Sequence, residues 1–160
     1  MEIKLQTRKG TDIKNETYIL DLPRDLDFLY SQHRRDFPSV VLFRRAVDIS
    51  YNCHGLTFAN RRTCIADPVG LEIILSEDGY RQVGLSEVKP GDIAIYRDEG
   101  GDIAHSGIVL YIESAGGLMT PIIISKWGPL GPECIHRYNY GPEPYVNCTK
   151  EFWTDRKANE

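Results

Sequence analysis

The spacing of apolar positions changes near Gly79, about halfway along the chain. Before it, apolar residues such as Leu26, Leu29 and Tyr30 recur every three or four positions, which is the period of an amphipathic helix. After it, short apolar runs are separated by turns rich in proline and glycine, the pattern of β-strands. The sequence therefore predicts helices first and a sheet second.

The first half of the chain predicts four helical segments, preceded by a short strand at 17–20. A helix over 69–75 begins after Pro68, is capped by Asp67 and stops at Asp78 and Gly79. The run at 40–43 is too short to classify by period and is interpreted as a helix that continues to residue 46. The remaining helices are predicted at 24–33 and from Cys53 to about residue 62 or 63.

The second half predicts consecutive strands joined by short turns. Gly116 and Gly117 form one turn, and Pro90 with Gly91 forms another. Short connections favour an antiparallel meander, so the fold class is α+β. The predicted strands lie at 93–97, 104–112, 120–127 and 134–138.

Composition limits the classes of function. With 160 residues, 41% of them hydrophobic, the chain fits one globular domain. A formal net charge of −4 argues against a nucleic-acid or anionic-membrane partner. No signal peptide or membrane span is recognised, and a cytoplasmic location is expected, with export by a dedicated secretion system as an alternative.

Cys53 is the first candidate for chemistry, because it stands where a helix is predicted to begin. Asn52 can cap that helix and Gly55 allows a tight turn. A helix start favours the thiolate and lowers the pKa of a cysteine. A buried structural cysteine is the alternative. The four cysteines fit no compact zinc motif, so no metal or other cofactor is predicted.

His105 is the candidate partner of Cys53, since it opens a predicted strand beside a glycine-rich loop. A thiolate nucleophile needs an imidazole that accepts and returns its proton. The hairpin that turns at 116–117 should return Ser125 and Trp127 to the same end of the sheet, and His136 follows the next turn.

These residues lie in runs that resemble the NlpC/P60 and CHAP branch of the papain-like cysteine peptidases. The runs are NCHGL at 52–56, PGDIAIY at 90–96 and AHSGIV at 104–109. In that superfamily a cysteine starts the helix, a Pro-Gly-Asp turn precedes the first core strand, and a histidine opens the second. The resemblance covers residues 50–138. It implies a single papain-like domain with a catalytic core at 50–140 and a variable N-terminal arm with helices at 1–49.

The resemblance implies that Cys53 is the nucleophile and His105 the general base and acid. The position of the third, orienting residue falls near Ser125, where the family usually has a histidine, an amide or an acid. His136 is therefore a competing candidate, and an imidazole is the stronger partner. The candidate substrate-binding residues are Tyr51, Asn52 and Trp127, although a tryptophan at a strand end is more often part of the core.

The activity implied is hydrolysis of an amide bond through a thioester, as in a cell-wall peptide amidase or endopeptidase. The absence of a recognised signal peptide argues against a cell-wall substrate unless the protein is exported, and a cytosolic protein or isopeptide bond is the other choice. A transglutaminase, deamidase or acyltransferase would use the same Cys-His pair. A non-catalytic papain-like binding module, with a protein partner or inhibitor, is the alternative of a different class.

Overall fold

The computed structural model describes residues 1–17, 26–36, 41–45 and 48–158. Within these ranges the chain forms three α-helices and one seven-stranded sheet. The helices are α1 (Leu26–Asp36), α2 (Cys53–Ala59) and α3 (Pro68–Glu77). The strands are β1 (Val41–Arg45), β2 (Arg81–Val83), β3 (Ile93–Arg97), β4 (Ile103–Ala115), β5 (Leu118–Lys126), β6 (Glu133–Arg137) and β7 (Thr149–Thr154).

The strands are ordered β1-β6-β5-β4-β3-β7-β2, and each neighbouring pair is antiparallel. The α+β class and the meander from β3 to β6 are therefore confirmed. Few helices accompany a large antiparallel sheet, because the short Pro/Gly turns after Gly79 connect neighbouring strands directly. No helix in the described ranges is long and apolar enough to cross a membrane.

The helix predicted at 40–46 is wrong, because this segment contains β1. Its residues pair with β6, for example Leu42 with Ile135 and Phe43 with Cys134. Branched and aromatic side chains favour a strand once an edge is available to pair with, and a run this short has no period to oppose it. The strand predicted at 17–20 falls mostly on residues 18–20, which lie outside the described residues.

The sheet also extends beyond the predicted core at 50–140. In β7, Phe152 pairs with Ala94 of β3 on one side and with Val83 of β2 on the other. The C-terminal aromatic residues Phe152 and Trp153 therefore belong to an inner strand of the sheet. The pairing of β7 with β2 and β3 joins residues that are far apart in sequence, so the local sequence pattern does not predict it.

Helices α2 and α3 pack on one face of the sheet. The core between them contains Leu71, Ile93 and Ile95, and Ile13 from the N-terminal segment enters it. The opposite face is covered by a second cluster with Tyr96 and Phe152. Because alternate residues of a strand face opposite sides, consecutive residues of β4 reach different clusters. This alternation decides where the candidate site residues lie.

The N-terminal segment is part of the packed structure. Asn15 is 5% exposed, and its side chain bonds the backbone of Ile3 and accepts a hydrogen bond from Thr63. Residues 16 and 64 form an isolated bridge. These contacts press the segment onto the loop that follows α2.

Candidate functional site

Asn52 places Cys53 at the first position of α2. Its side-chain oxygen accepts hydrogen bonds from the N–H of Gly55 at 2.8 Å and from that of Ile65 at 3.1 Å. Its amide donates to the carbonyl of Ile65 at 2.7 Å. The predicted cap is confirmed, and the same side chain ties the helix start to the loop beyond the helix.

α2 is enclosed more closely than its sequence suggested. A Cβ atom on Gly55 would lie 1.8 Å from the carbonyl oxygen of Thr63. The helix ends at Ala59, earlier than predicted, because Asn60 takes a left-handed conformation with φ of 47°. Asparagine tolerates this conformation well, and it turns the chain back along the helix.

The Cys53 thiol is buried, with 4% of the residue exposed. Burial raises its pKa to about 11, although the backbone N–H groups of Ser106, His54 and Cys53 itself act to lower it. The lowered pKa expected at a helix start is thus not found. Desolvation outweighs three N–H groups and a helix of only seven residues. The resting group is a neutral thiol.

His105 lies in β4, opposite Tyr96 of β3. It is 1% exposed, and among the described residues neither ring nitrogen has a hydrogen-bond partner. The ring of Tyr145 stacks on the imidazole at 4.1 Å with 14° between the planes, and Tyr96 meets it edge-on at 5.0 Å. Burial lowers the pKa of His105 well below its ordinary value, so the imidazole is neutral.

Ser106 and Tyr145 are neighbours of both Cys53 and His105. The backbone N–H of Ser106, the residue after His105, acts to lower the pKa of the Cys53 thiol. A charge on that sulfur would raise the pKa of Tyr145, the tyrosine that stacks on His105. The imidazole and the thiol therefore have common neighbours, although no hydrogen bond joins them in this conformation.

A polar chain missed by the sequence reasoning links α2 to β4. The Nδ1 atom of His54 lies 2.9 Å from the Ser106 hydroxyl, which donates to the hydroxyl of Thr57 at 3.0 Å. Thr57 in turn donates to the carbonyl of Cys53 at 2.9 Å. His54 therefore faces the sheet and carries its proton on Nδ1. The only signal in the sequence was that His54 and Ser106 each follow a candidate residue.

The two candidates for the third catalytic residue bond to each other. The Ser125 hydroxyl lies 2.7 Å from Nε2 of His136, and Trp127 donates to the same nitrogen at 3.4 Å. The opposite nitrogen, Nδ1, lies 2.8 Å from the carbonyl of Arg137, so it carries the proton and donates. Ser125 and His136 share the sheet face of His105, but neither bonds to it.

Three histidines are buried, and we call them the buried histidines: His54 of α2, His105 of β4 and His136 of β6. Burial is the main cause of the lowered pKa of each one. The pKa is lowered to about 4 for both His54 and His136. All three rings are therefore neutral at pH 7.

Two of the three predicted substrate-binding residues, Tyr51 and Trp127, lie in the interior, and Asn52 is half-buried. Tyr51 is 1% exposed and donates its hydroxyl proton to Glu133 at 2.8 Å. Trp127 is 5% exposed and meets Phe43 edge-on at 6.1 Å. A ligand would reach the rings of Tyr51 and Trp127 only if the residues packed around them moved.

Within the described ranges, no group of three His, Cys, Asp or Glu side chains is arranged to hold a metal ion. All four cysteines lie in these ranges, and all are free, buried thiols. A cavity of about 640 Å³ lies beside the N-terminal segment and is lined by Met1, Glu2, Lys14, Asn15, Glu16, Cys64, Ala66 and Asp67. Its lining does not include Cys53 or His105.

No family model, curated protein or solved structure matches this chain.

Proposed function

We propose that the chain is a papain-like cysteine hydrolase that cleaves an amide bond through a thioester on Cys53. His105 would act as its general base and acid. The observation that carries the proposal is the His105 imidazole, which is 1% exposed and has no hydrogen-bond partner in the described structure. A buried polar group without a partner costs about 1 to 3 kcal/mol. Such a cost is typical of functional sites, where it leaves a group ready for substrate.

The surroundings of Cys53 support the same proposal. The backbone N–H groups of Ser106, His54 and Cys53 itself act to lower the pKa of its thiol. They would stabilise negative charge as the sulfur loses its proton. The sulfur, Ser106 and His105 are fixed on elements that pack tightly, α2 and β4.

The proposed reaction uses Cys53 and His105 in turn. The neutral His105 takes the thiol proton while the sulfur attacks the carbonyl carbon and the C–S bond forms. The protonated imidazole then gives this proton to the amine, which leaves as the C–N bond breaks. Water attacks the thioester, with His105 accepting its proton, and the thiol and a carboxylic acid are released. By resemblance, we propose a cell-wall peptide or an isopeptide as the substrate.

The direct test is product formation from muropeptides and from isopeptide-linked peptides, followed by mass spectrometry. We expect cleavage by the wild type, a covalent acyl adduct on Cys53 and no product from Cys53→Ala. Cys64→Ala is the matched control, because this thiol is also buried but lines the separate cavity. Equal product from wild type and Cys53→Ala would overturn the mechanism.

One observation favours a second candidate, a papain-like scaffold that binds a partner without catalysis. The Cys53 thiol has a pKa raised to about 11, and Tyr145 covers His105. A protein of this kind would give neither product nor adduct with any amide tested. An adduct on Cys53 would exclude it.

A further inference from the structure

Two opposite charges are fully buried beneath α2. Lys126 of β5 and Glu133 of β6 are both 0% exposed and are paired neighbours in the sheet. Burying a charge costs several kcal/mol unless hydrogen bonds and an opposite charge compensate for it. The partners of these two residues therefore indicate what the charges are used for.

Glu133 bonds residues at both ends of α2, and Nε of Arg44 in β1 also lies 3.8 Å from its carboxylate. Tyr51, two residues before the helix, donates its hydroxyl proton at 2.8 Å. Arg61, two residues after the helix, donates from Nε at 2.7 Å and from Nη2 at 3.1 Å. One carboxylate thus holds the entrance and the exit of the helix that carries Cys53.

The exit from α2 is also strained. Arg61 has φ of 65°, directly after Asn60 with φ of 47°. The left-handed conformation costs a residue such as arginine roughly 1 to 2 kcal/mol. A strained conformation persists only where its surroundings compensate for it, and here the two-pronged bond to Glu133 does so.

Lys126 fixes Tyr51 from the other side. Its ammonium donates to the carbonyls of Gly128, Pro129 and Gly131 at 2.8, 2.7 and 3.0 Å. The same ammonium lies 5.4 Å from the centre of the Tyr51 ring. Tyr51 therefore contacts Glu133 through its hydroxyl and, through its ring, the Lys126 ammonium, which three carbonyls hold in place.

We propose that Glu133 is a positioning residue that bonds both ends of α2 and so holds Cys53 beside Ser106 of β4, to which Thr57 links it. Its importance for catalysis rests on the proposed function. The positioning of α2 by Glu133 does not rest on the proposed function, because it concerns where the thiol lies and not how it reacts. Glu133 does not touch the sulfur and acts through Tyr51 and Arg61.

The test removes the bonds to Glu133 at one end of α2 at a time, with the clamp variants Tyr51→Phe and Arg61→Gln. Arg156→Gln is the matched control, because Arg156 also grips a buried carboxylate, that of Asp92, through two nitrogens at 3.1 and 2.7 Å. The side chains of Arg61 and Arg156 are 26% and 23% exposed. Loss of either arginine should therefore lower the stability of the fold by a similar amount.

The measurements are hydrogen exchange of the Ser106 amide and the ¹³Cβ chemical shift of Cys53, with urea unfolding as the stability reference. We expect both clamp variants to shift the Cys53 resonance and to speed Ser106 exchange about tenfold or more, the equivalent of about 1.4 kcal/mol. The control should leave the Cys53 resonance unchanged and should speed Ser106 exchange no more than its loss of stability in urea accounts for. Tyr51→Phe removes only a hydroxyl group, so it keeps the test valid if Arg61→Gln fails to fold.

If neither folded clamp variant differs from the control, the positioning role of Glu133 is refuted. The proposed function can fail separately. If the clamp variants change Ser106 exchange and the Cys53 chemical shift, but the wild type forms no adduct on Cys53, the positioning role of Glu133 stands and the proposed catalysis is refuted.

Discussion

Replacing Tyr145 by alanine should uncover His105. The tyrosine ring stacks on the imidazole at 4.1 Å and is itself half-buried. Tyr145 begins a short 3₁₀ turn whose backbone hydrogen bonds stay within residues 142–148. The ring therefore attaches this turn to the sheet together with Lys150 of β7, whose ammonium donates to the Val146 carbonyl. Removal of the ring should let water and reagents reach His105.

The size of the effect follows from the contact. An aromatic stack contributes about 0.5 to 1.5 kcal/mol beyond the area it buries. Truncating a fully buried aromatic side chain costs about 3 to 5 kcal/mol, and Tyr145 is only partly buried. We therefore expect closure of the turn over His105 to weaken by about 2 kcal/mol, which makes the open state about 30 times more populated.

The assay is modification of His105 by diethyl pyrocarbonate, which reacts with neutral imidazole, with the site assigned by mass spectrometry. Tyr145→Ala should react about 30 times faster than wild type, as the shift in opening requires. Tyr145→Phe keeps the stack and should react like wild type. Tyr140→Ala, which removes a 39% exposed ring from the same segment, is the second control. Equal rates in the Ala and Phe variants of Tyr145 would refute the idea that this ring covers His105.

Two further predictions concern stability. The buried histidines have lowered pKa values, so their contribution to stability is present above pH 6.5 and is lost as the pH falls toward about 4. Urea unfolding should show a loss of about 1.4 kcal/mol per pH unit for each of them in this window, and His54→Asn should remove about a third of the slope; an unchanged slope would contradict the neutral burial of His54. Gly55→Ala should destabilise the fold by about 3 kcal/mol or more, because the added Cβ would meet the backbone of Thr63. Gly70→Ala is the control and should be tolerated, since the nearest neighbour of its added Cβ is at 3.6 Å. Thermal unfolding compares the two variants, and equal midpoints would contradict the close packing of α2.

Local signals carried most of the fold prediction. Asp67 and Pro68 marked the start of α3, and the turn at Gly116 and Gly117 fixed the hairpin of β4 and β5, because caps and turns depend on neighbouring residues. β1 was missed since its partner, β6, lies about ninety positions further along the chain. The five residues of β1 carry no local signal that identifies this distant partner strand.

The candidate site was predicted less completely than the fold. The sequence selected Cys53 and His105, because each stands at the start of an element. The raised thiol pKa was not predictable, as it depends on how completely other segments bury the sulfur. Glu133 was missed because its partners, Tyr51 and Arg61, are more than seventy positions away.

The most direct test of Cys53 as nucleophile and His105 as base is turnover of 4-nitrophenyl acetate, followed by intact-mass analysis, in the wild type, Cys53→Ala and His105→Ala. We expect rapid release of nitrophenolate with a transient acetyl thioester on Cys53 in the wild type. Cys53→Ala should show no release above the uncatalysed rate, and His105→Ala should form the thioester slowly and fail to hydrolyse it. Equal turnover in all three proteins would contradict the roles of nucleophile and base assigned to Cys53 and His105.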